Sequence, residues 1–239
     1  SGASSGTQRT EAWLSRVERS TDEIIGRRSA NLTGYQNPAT AKKHRTMVER
    51  VKNAAASGGY GDELPRAVAI NYAKLLAYKD EYEVARLYTD GRFEKQLGDQ
   101  FEGDYEISFH LAPPFLSSAK AALVRPKKKA FGASTLTLFR LLARMKGSRG
   151  TTLDVFGYSA ERRLERDLIA GYEKDVTFVL DKLSPANIEN AIELLSLPGR
   201  VRGYGPIKER AVADAKVRHL GLVRDLADPP PTPRQIAAE

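Results

Sequence analysis

Asp80 and Glu83 stand three residues apart in Lys79-Asp-Glu-Tyr-Glu83, so a helix there presents both carboxylates on one face. Paired carboxylates can give and take a substrate proton, the first chemistry to consider. The commoner use of such a pair is to anchor arginines, and Arg86, Arg92, Arg162, Arg163 and Arg166 are ample partners. His110 lies on the polar side of a predicted strand beside Glu106, where a neighbouring carboxylate raises an imidazole toward the range useful for proton transfer. A sheet-surface histidine next to an acid is the commoner arrangement, and no nucleophile or oxyanion-hole motif accompanies it. Asp80, Glu83, Arg162, Arg163, Arg166 and His110 are therefore read as a candidate polar network, with no residue assigned as catalytic.

A second group is cationic. Arg125, Lys127, Lys128 and Lys129 form a basic turn able to hold a phosphate or to dock an acidic protein surface. No aromatic residues interleave with them, as a stacking platform for bases requires, so nucleic acid is not an expected partner. The whole chain leans the same way, with 38 Lys+Arg against 30 Asp+Glu and a net charge of +8.

Several chemistries are excluded by residue type. There is no cysteine, so the chain supplies no thiol nucleophile, disulfide or cluster ligand. His44, His110 and His219 are scattered, and none has the helix-spaced partner of a metal pair. Gly147-Ser-Arg-Gly-Thr-Thr152 offers glycines and hydroxyls but lacks the lysine of a phosphate-gripping loop. Gly199, Gly203 and Gly205 fall between two predicted helices instead of after a strand, so a dinucleotide fingerprint is not supported either.

The elements that must position these residues are mainly helical. The chain of 239 residues, 41% hydrophobic, suffices for one sizeable core or two small ones. Trp13, Val17, Ile24 and Ile25 share one helical side, and Asn37-Pro38 starts a helix through Met47, Val48 and Val51 that Ser57-Gly-Gly-Tyr-Gly61 ends. Asp62 is placed to cap the next, whose stripe is Leu64, Val68, Tyr72, Leu75 and Leu76, with a possible extension through Tyr82 to Tyr88. Tyr105 to Leu111 alternates strictly and predicts the one strand. Further helices are predicted from about Ser134 to Lys146 with Gly147 closing, from the Ser159 cap to Leu183, from Ser184-Pro185 to a break at Pro198-Gly199, and from near Pro206 to about Ala227. The expected fold is mostly α: amphipathic antiparallel helices over 7–227 with a minor β element near 105–111. Residues 1–6 read as a linker, and 228–239, with four prolines, as a Pro-rich disordered tail. No apolar run reaches the ~18–20 residues of a membrane span and no secretory signal opens the chain, so a cytoplasmic protein is expected, with no membrane partner.

Longer stretches resemble a known family. Tyr78-Lys-Asp-Glu-Tyr-Glu-Val-Ala-Arg-Leu-Tyr88, Phe109-His-Leu-Ala-Pro-Pro114, Phe139 to Gly147, Thr152-Leu-Asp-Val-Phe-Gly-Tyr158, Glu161-Arg-Arg-Leu-Glu-Arg166, Arg202-Gly-Tyr-Gly205 and Lys208-Glu-Arg210 resemble, in order and spacing over about 20–226, the C-terminal domain of the long single-chain indolepyruvate ferredoxin oxidoreductases. That resemblance implies a parent enzyme that oxidatively decarboxylates aryl 2-oxo acids to acyl-CoA, using thiamine diphosphate, Mg and iron–sulfur clusters, with coenzyme A as co-substrate and ferredoxin as electron acceptor. The cofactor-binding and catalytic segments of such a parent lie upstream, so no cofactor is expected in this segment. The resemblance implies an accessory domain serving assembly, interface or gating, whose partners are the remaining domains of the parent, a second copy through self-association and ferredoxin. An alternative is a basic module for coenzyme A phosphates or an acidic ferredoxin, carried by Arg125, Lys127, Lys128 and Lys129.

Overall fold

The computed structural model describes residues 20–101, 109–111, 129–131, 135–203 and 206–228. Its helices are α1 (Thr21–Tyr35), α2 (Pro38–Gly58), α3 (Glu63–Leu76), α4 (Glu81–Thr89), α5 (Arg92–Gln100), α6 (Thr135–Arg144), α7 (Ala160–Lys182), α8 (Ile188–Arg200) and α9 (Pro206–Ala227), with a 3-10 turn at Met145–Ser148. Strands β1 (Phe109–Leu111) and β2 (Lys129–Phe131) pair antiparallel, Phe109 opposite Phe131 and Leu111 opposite Lys129. The fold is mostly α, as the periodicity predicts. No described helix is long and apolar enough to cross a membrane. The chain divides into two compact units, the first from Ser1–Tyr78 with Tyr158–Glu239 and the second from Lys79–Gly157.

The first unit is organised around α3. Nine of its fourteen residues are buried, which requires neighbours on most sides, and α1, α2, α7 and α8 supply them. Its Leu64, Val68 and Tyr72 meet Val48 and Val51 of α2, Val176 of α7 and Leu194 and Leu195 of α8 in one core, which Leu222 and Leu226 of α9 complete. Each leucine fully buried there contributes about 2 kcal/mol. Two tyrosines carry hydroxyls into this core with partners at their tips. Tyr172 stacks on Tyr72 at 5.8 Å and donates to the Leu195 carbonyl at 2.9 Å, while the Tyr72 hydroxyl reaches out to Glu173 Oε1 at 2.7 Å. Burial pushes both tyrosine hydroxyls above the usual phenol range.

Local chemistry explains the helix ends. Ser20 and Glu23 form a reciprocal capping box, so Ile24 and Ile25 belong to a helix that begins at Thr21; Trp13 and Val17 lie outside the described residues. Asn37 accepts from the Thr40 amide at 2.9 Å with Pro38 in the first turn, and Gly59 closes α2 at φ 69°, a conformation that a side chain disfavours. Ser159 caps α7 by accepting from the Arg162 amide.

Elsewhere the pattern is corrected. Asp62 makes no side-chain cap; its carboxylate accepts from Thr21 Oγ1 at 2.5 Å and ties the starts of α1 and α3 together. The extension of α3 to Tyr88 is broken at Ala77, and a new helix starts after Asp80. Ser184-Pro185 does not begin α8. Asn187 does so after a turn that its side chain clamps, accepting from the Ser184 amide and donating to the Lys182 carbonyl, both at 2.8 Å. Pro198-Gly199 does not break α8, which runs to Arg200, because Lys74 donates to the carbonyls of Pro198 at 2.6 Å and Val201 at 2.8 Å. Lys129 is a strand residue instead of part of a turn, and Tyr105 to Ser108 of the predicted strand lie outside the described residues, as do residues 1–6 and 229–239 of the two predicted tails.

His44 gives this core a pH dependence. Its Nε2 lies 2.9 Å from the Ala69 carbonyl and must donate, which leaves Nδ1 as an acceptor that meets no partner in the buried interior. Burial is the main cause that lowers its pKa below the usual 6.5, helped by Arg28 and Arg45. Below pH about 6.5 the unfolded chain therefore binds a proton that the native state resists, and stability falls as the pH drops toward the lowered native pKa. The urea midpoint should fall between pH 7 and 5, and His44→Gln should flatten that fall; equal slopes for the two proteins would refute the assignment.

Candidate functional site

A cluster of charged and aromatic side chains lies in the second unit, and Asp80 is its centre. Asp80 Oδ1 accepts from the Glu83 amide at 2.8 Å and so caps α4. Its two oxygens also receive a fork from Arg149, Nε to Oδ2 at 2.5 Å and Nη2 to Oδ1 at 2.9 Å. Both side chains are almost fully buried, at 5% and 3% exposure for Arg149 and Asp80, so this is an interior ion pair. The Arg149 guanidinium also lies over the Tyr82 ring, 5.5 Å from its centroid.

Tyr82 extends the cluster into the loop that follows the 3-10 turn. Its hydroxyl donates to Asp154 Oδ1 at 3.1 Å, and the Gly150 amide donates to Asp154 Oδ2 at 2.8 Å. Phe156 meets the Tyr82 ring edge-on at 5.3 Å. Gly157 passes so close to the Asp154 carboxylate that a Cβ would lie 2.5 Å from an oxygen, which makes glycine a requirement of this turn. Burial, with the Asp154 charge beside it, holds the Tyr82 hydroxyl above the usual phenol range, so it acts as a donor and not as a base.

Glu83 faces another arginine. Arg86 grips it through Nε at 2.8 Å and Nη2 at 2.7 Å, and reaches Asp90 through Nη1 at 3.1 Å. The Glu83 carboxylate is the first cause that raises the Arg86 pKa further above its ordinary value. Asp90 also receives the exposed Arg92 at 3.1 Å. Asp80 and Glu83 thus point to different arginines, and the two carboxylates do not converge on a shared proton. Lys146 nearby is lowered, by desolvation and then by Arg86 and Arg149.

Arg162 belongs to the first unit, where its guanidinium sits 5.6 Å over the Tyr78 ring, itself edge-on to Tyr35 at 6.2 Å. Arg163 is exposed and Arg166 half-buried along α7. His110 occupies the middle of β1 opposite Ala130, while Glu106 lies outside the described residues. Arg125, Lys127 and Lys128 also lie outside them, and Lys129 ends the β pairing opposite Leu111. Glu165, almost fully buried, pairs with Lys208. Lys74 is lowered, by desolvation first and then by Arg202 and Lys208. His219 Nε2 lies 2.8 Å from Asp175, a carboxyl that burial raises.

Arg149, Asp154 and Lys74 are the structural keys that spacing did not indicate. Arg149 pairs across 69 positions, and its sequence neighbourhood draws attention only as an incomplete phosphate loop. The one local signal is Asp154 set between Gly150 and Gly157, the signature of a tight turn. Among the described residues no group of three or more His, Asp or Glu is placed to hold a metal ion.

The sequence profile of a family described as a family of unknown function (DUF6537) matches residues 21–220. No curated protein matches the chain, and no solved structure matches it.

An interior ion pair and a surface one should respond differently to truncation. Arg149→Met leaves the Asp80 carboxylate buried without its cation and should cost about 3–5 kcal/mol in urea unfolding. Arg92→Ala removes a side chain that is 72% exposed and should cost less than about 1 kcal/mol. Similar costs for the two variants would show that the Asp80–Arg149 pair does not brace the unit.

Proposed function

This chain belongs to the DUF6537 family, and from the resemblance of its longer stretches we propose that it works by contact, as the C-terminal accessory domain of an indolepyruvate ferredoxin oxidoreductase. The observation that carries the reading is how the residues of the resembling stretches are used. Asp80, Tyr82, Glu83 and Arg86 of the 78–88 stretch and Asp154 of the 152–158 stretch hold one another, Arg149 or a neighbouring loop in place. Groups engaged in this way fix a shape, and a fixed shape is what an assembly or gating surface needs.

In this reading the parent oxidatively decarboxylates aryl 2-oxo acids to acyl-CoA in the cytoplasm and passes electrons to ferredoxin. Thiamine diphosphate, Mg and the iron–sulfur clusters are held by its other domains; this chain, without cysteine, has no thiolate to offer a cluster. Its own partners are those remaining domains and, through self-association of the full enzyme, a second copy. A second reading, a cationic contact for coenzyme A phosphates or for an acidic ferredoxin, is favoured by the net charge of +8.

The test is excision of residues 20–228 from the full-length parent, followed by measurement of oligomeric state and of 2-oxo-acid turnover. The contact reading expects a changed assembly, a lowered turnover, or both. A parent that assembles and turns over normally without the domain would remove it. The cationic reading expects coenzyme A or ferredoxin to bind the domain and to release as salt rises.

A further inference from the structure

Among the described residues helix α6 is covered on one side. Thr135 and Phe139 are buried, and Leu136, Leu142 and Ala143 pack with Phe139 toward Ala85 and Tyr88 of α4. Phe139 stacks on Tyr88 at 5.6 Å, and Tyr88 meets Phe93 of α5 edge-on at 4.9 Å, so this side is held firmly. On the adjoining flank Leu138 is 52% exposed, Leu141 55% and Met145 36%. Their spacing of three and then four residues sets them in one line along the helix and its 3-10 continuation. Arg140 and Arg144, also exposed, border the line one turn apart.

The sequence of this segment is one-sided in charge: from Ile107 to Leu153 it contains no Asp or Glu and nine Lys and Arg, of which Arg140 and Arg144 are exposed on α6 and Arg149 is buried against Asp80. The carboxylate nearest to Arg140 on the neighbouring helix, Glu94, stands 3.6 Å away with both side chains more than half exposed, a weak pair that an incoming carboxylate can replace.

We propose that the Leu138–Leu141–Met145 flank of α6, with Arg140 and Arg144, docks a protein partner whose surface is acidic around an apolar centre. The inference rests on the contact reading above and gives that contact a place and a chemistry. Charge complementarity selects the occupant. A second copy meeting this flank about a two-fold axis would set Arg140 and Arg144 against their own like charges. A free phosphate has no use for three central apolar side chains. A bilayer surface is a poorer match, since the line holds no aromatic anchor and spans a ten-residue helix of roughly 15 Å. Methionine adapts to a facing surface, and arginine forks fit carboxylates in two-point contact.

The experiment uses the full chain and a fluorescein-labelled amphipathic helical peptide with leucines on one face and glutamates on the other. Saturable binding is expected, weaker at high salt, and weakened about tenfold by Leu141→Ser and by Arg144→Glu. Lys216→Glu, on the exposed side of α9, should leave it unchanged. Circular dichroism confirms that each variant keeps its helix content, and Leu138→Gln replaces any variant that does not. The proposal is overturned by no binding, by binding that ignores both α6 substitutions, or by equal binding of a peptide with lysine for glutamate or of phosphatidylserine vesicles. If the peptide test fails while excision of the domain still disturbs the parent, only this surface is lost and the contact reading stands.

Discussion

In the second unit a buried carboxylate is held by a buried guanidinium. Among the described residues Ala85 and Phe139 form its buried hydrophobic cluster, with Tyr88, Leu136, Leu142 and Ala143 partly covered around them. Apolar contacts are not directional, so the bonds of Asp80 specify which arrangement is adopted. An interior ion pair is a weak source of net stability, because desolvating two charges offsets most of their attraction. What it supplies is uniqueness. The Arg149 fork fits a carboxylate in one orientation, and that carboxylate is committed to the first turn of α4 through the Glu83 amide. The cap of one helix and the exit of the 3-10 turn are thereby specified together.

The first unit solves the same problem by the opposite means. Its core is continuous across α1, α2, α3, α7, α8 and α9, and three of the polar atoms inside it are led to partners by rigid rings. His44, Tyr72 and Tyr172 stack in succession at 6.0 and 5.8 Å, and each directs one polar atom to a carbonyl or carboxylate at the edge of the stack. Here burial supplies the energy and hydrogen bonds prevent its loss. Lys74 shows the same economy at a helix end. It is desolvated at a cost that lowers its pKa, and in return α8 continues through Pro198 with its last carbonyls bound.

Legibility in the sequence follows the range of the interaction. Elements fixed by near neighbours are readable: Asn37-Pro38, Ser159 and the α9 start at Pro206 all act within a few residues, and the stripe from Leu64 to Leu76 reports its buried face directly. Elements fixed from afar are not. Nothing near Pro198 announces that Lys74, more than a hundred positions earlier, accepts the role of a cap. Nothing near Asp80 announces Arg149, so the sequence favours an arginine for this carboxylate without showing which one. The break between α3 and α4 is hidden for a related reason, since apolar residues continue through Tyr78 and Tyr82 while the backbone leaves the helix at Ala77 and is extended at Asp80.

The distribution of charge connects these observations to contact. A unit that commits several of its acids internally leaves fewer of them to balance the cations on its surface. In the second unit Asp80, Glu83, Asp90 and Asp154 all serve as acceptors for arginines, a tyrosine or backbone amides of that unit. Arg140 is left with one exposed glutamate, and Arg144 borders exposed leucine and methionine on a helix whose other side is fixed by aromatic packing. Rigidity matters at such a surface, because a side chain already held by its own helix loses less freedom when a partner arrives. The network that stabilises the unit also leaves α6 cationic and apolar on its outer flank, so the same placement of acids serves the fold and prepares a surface for docking.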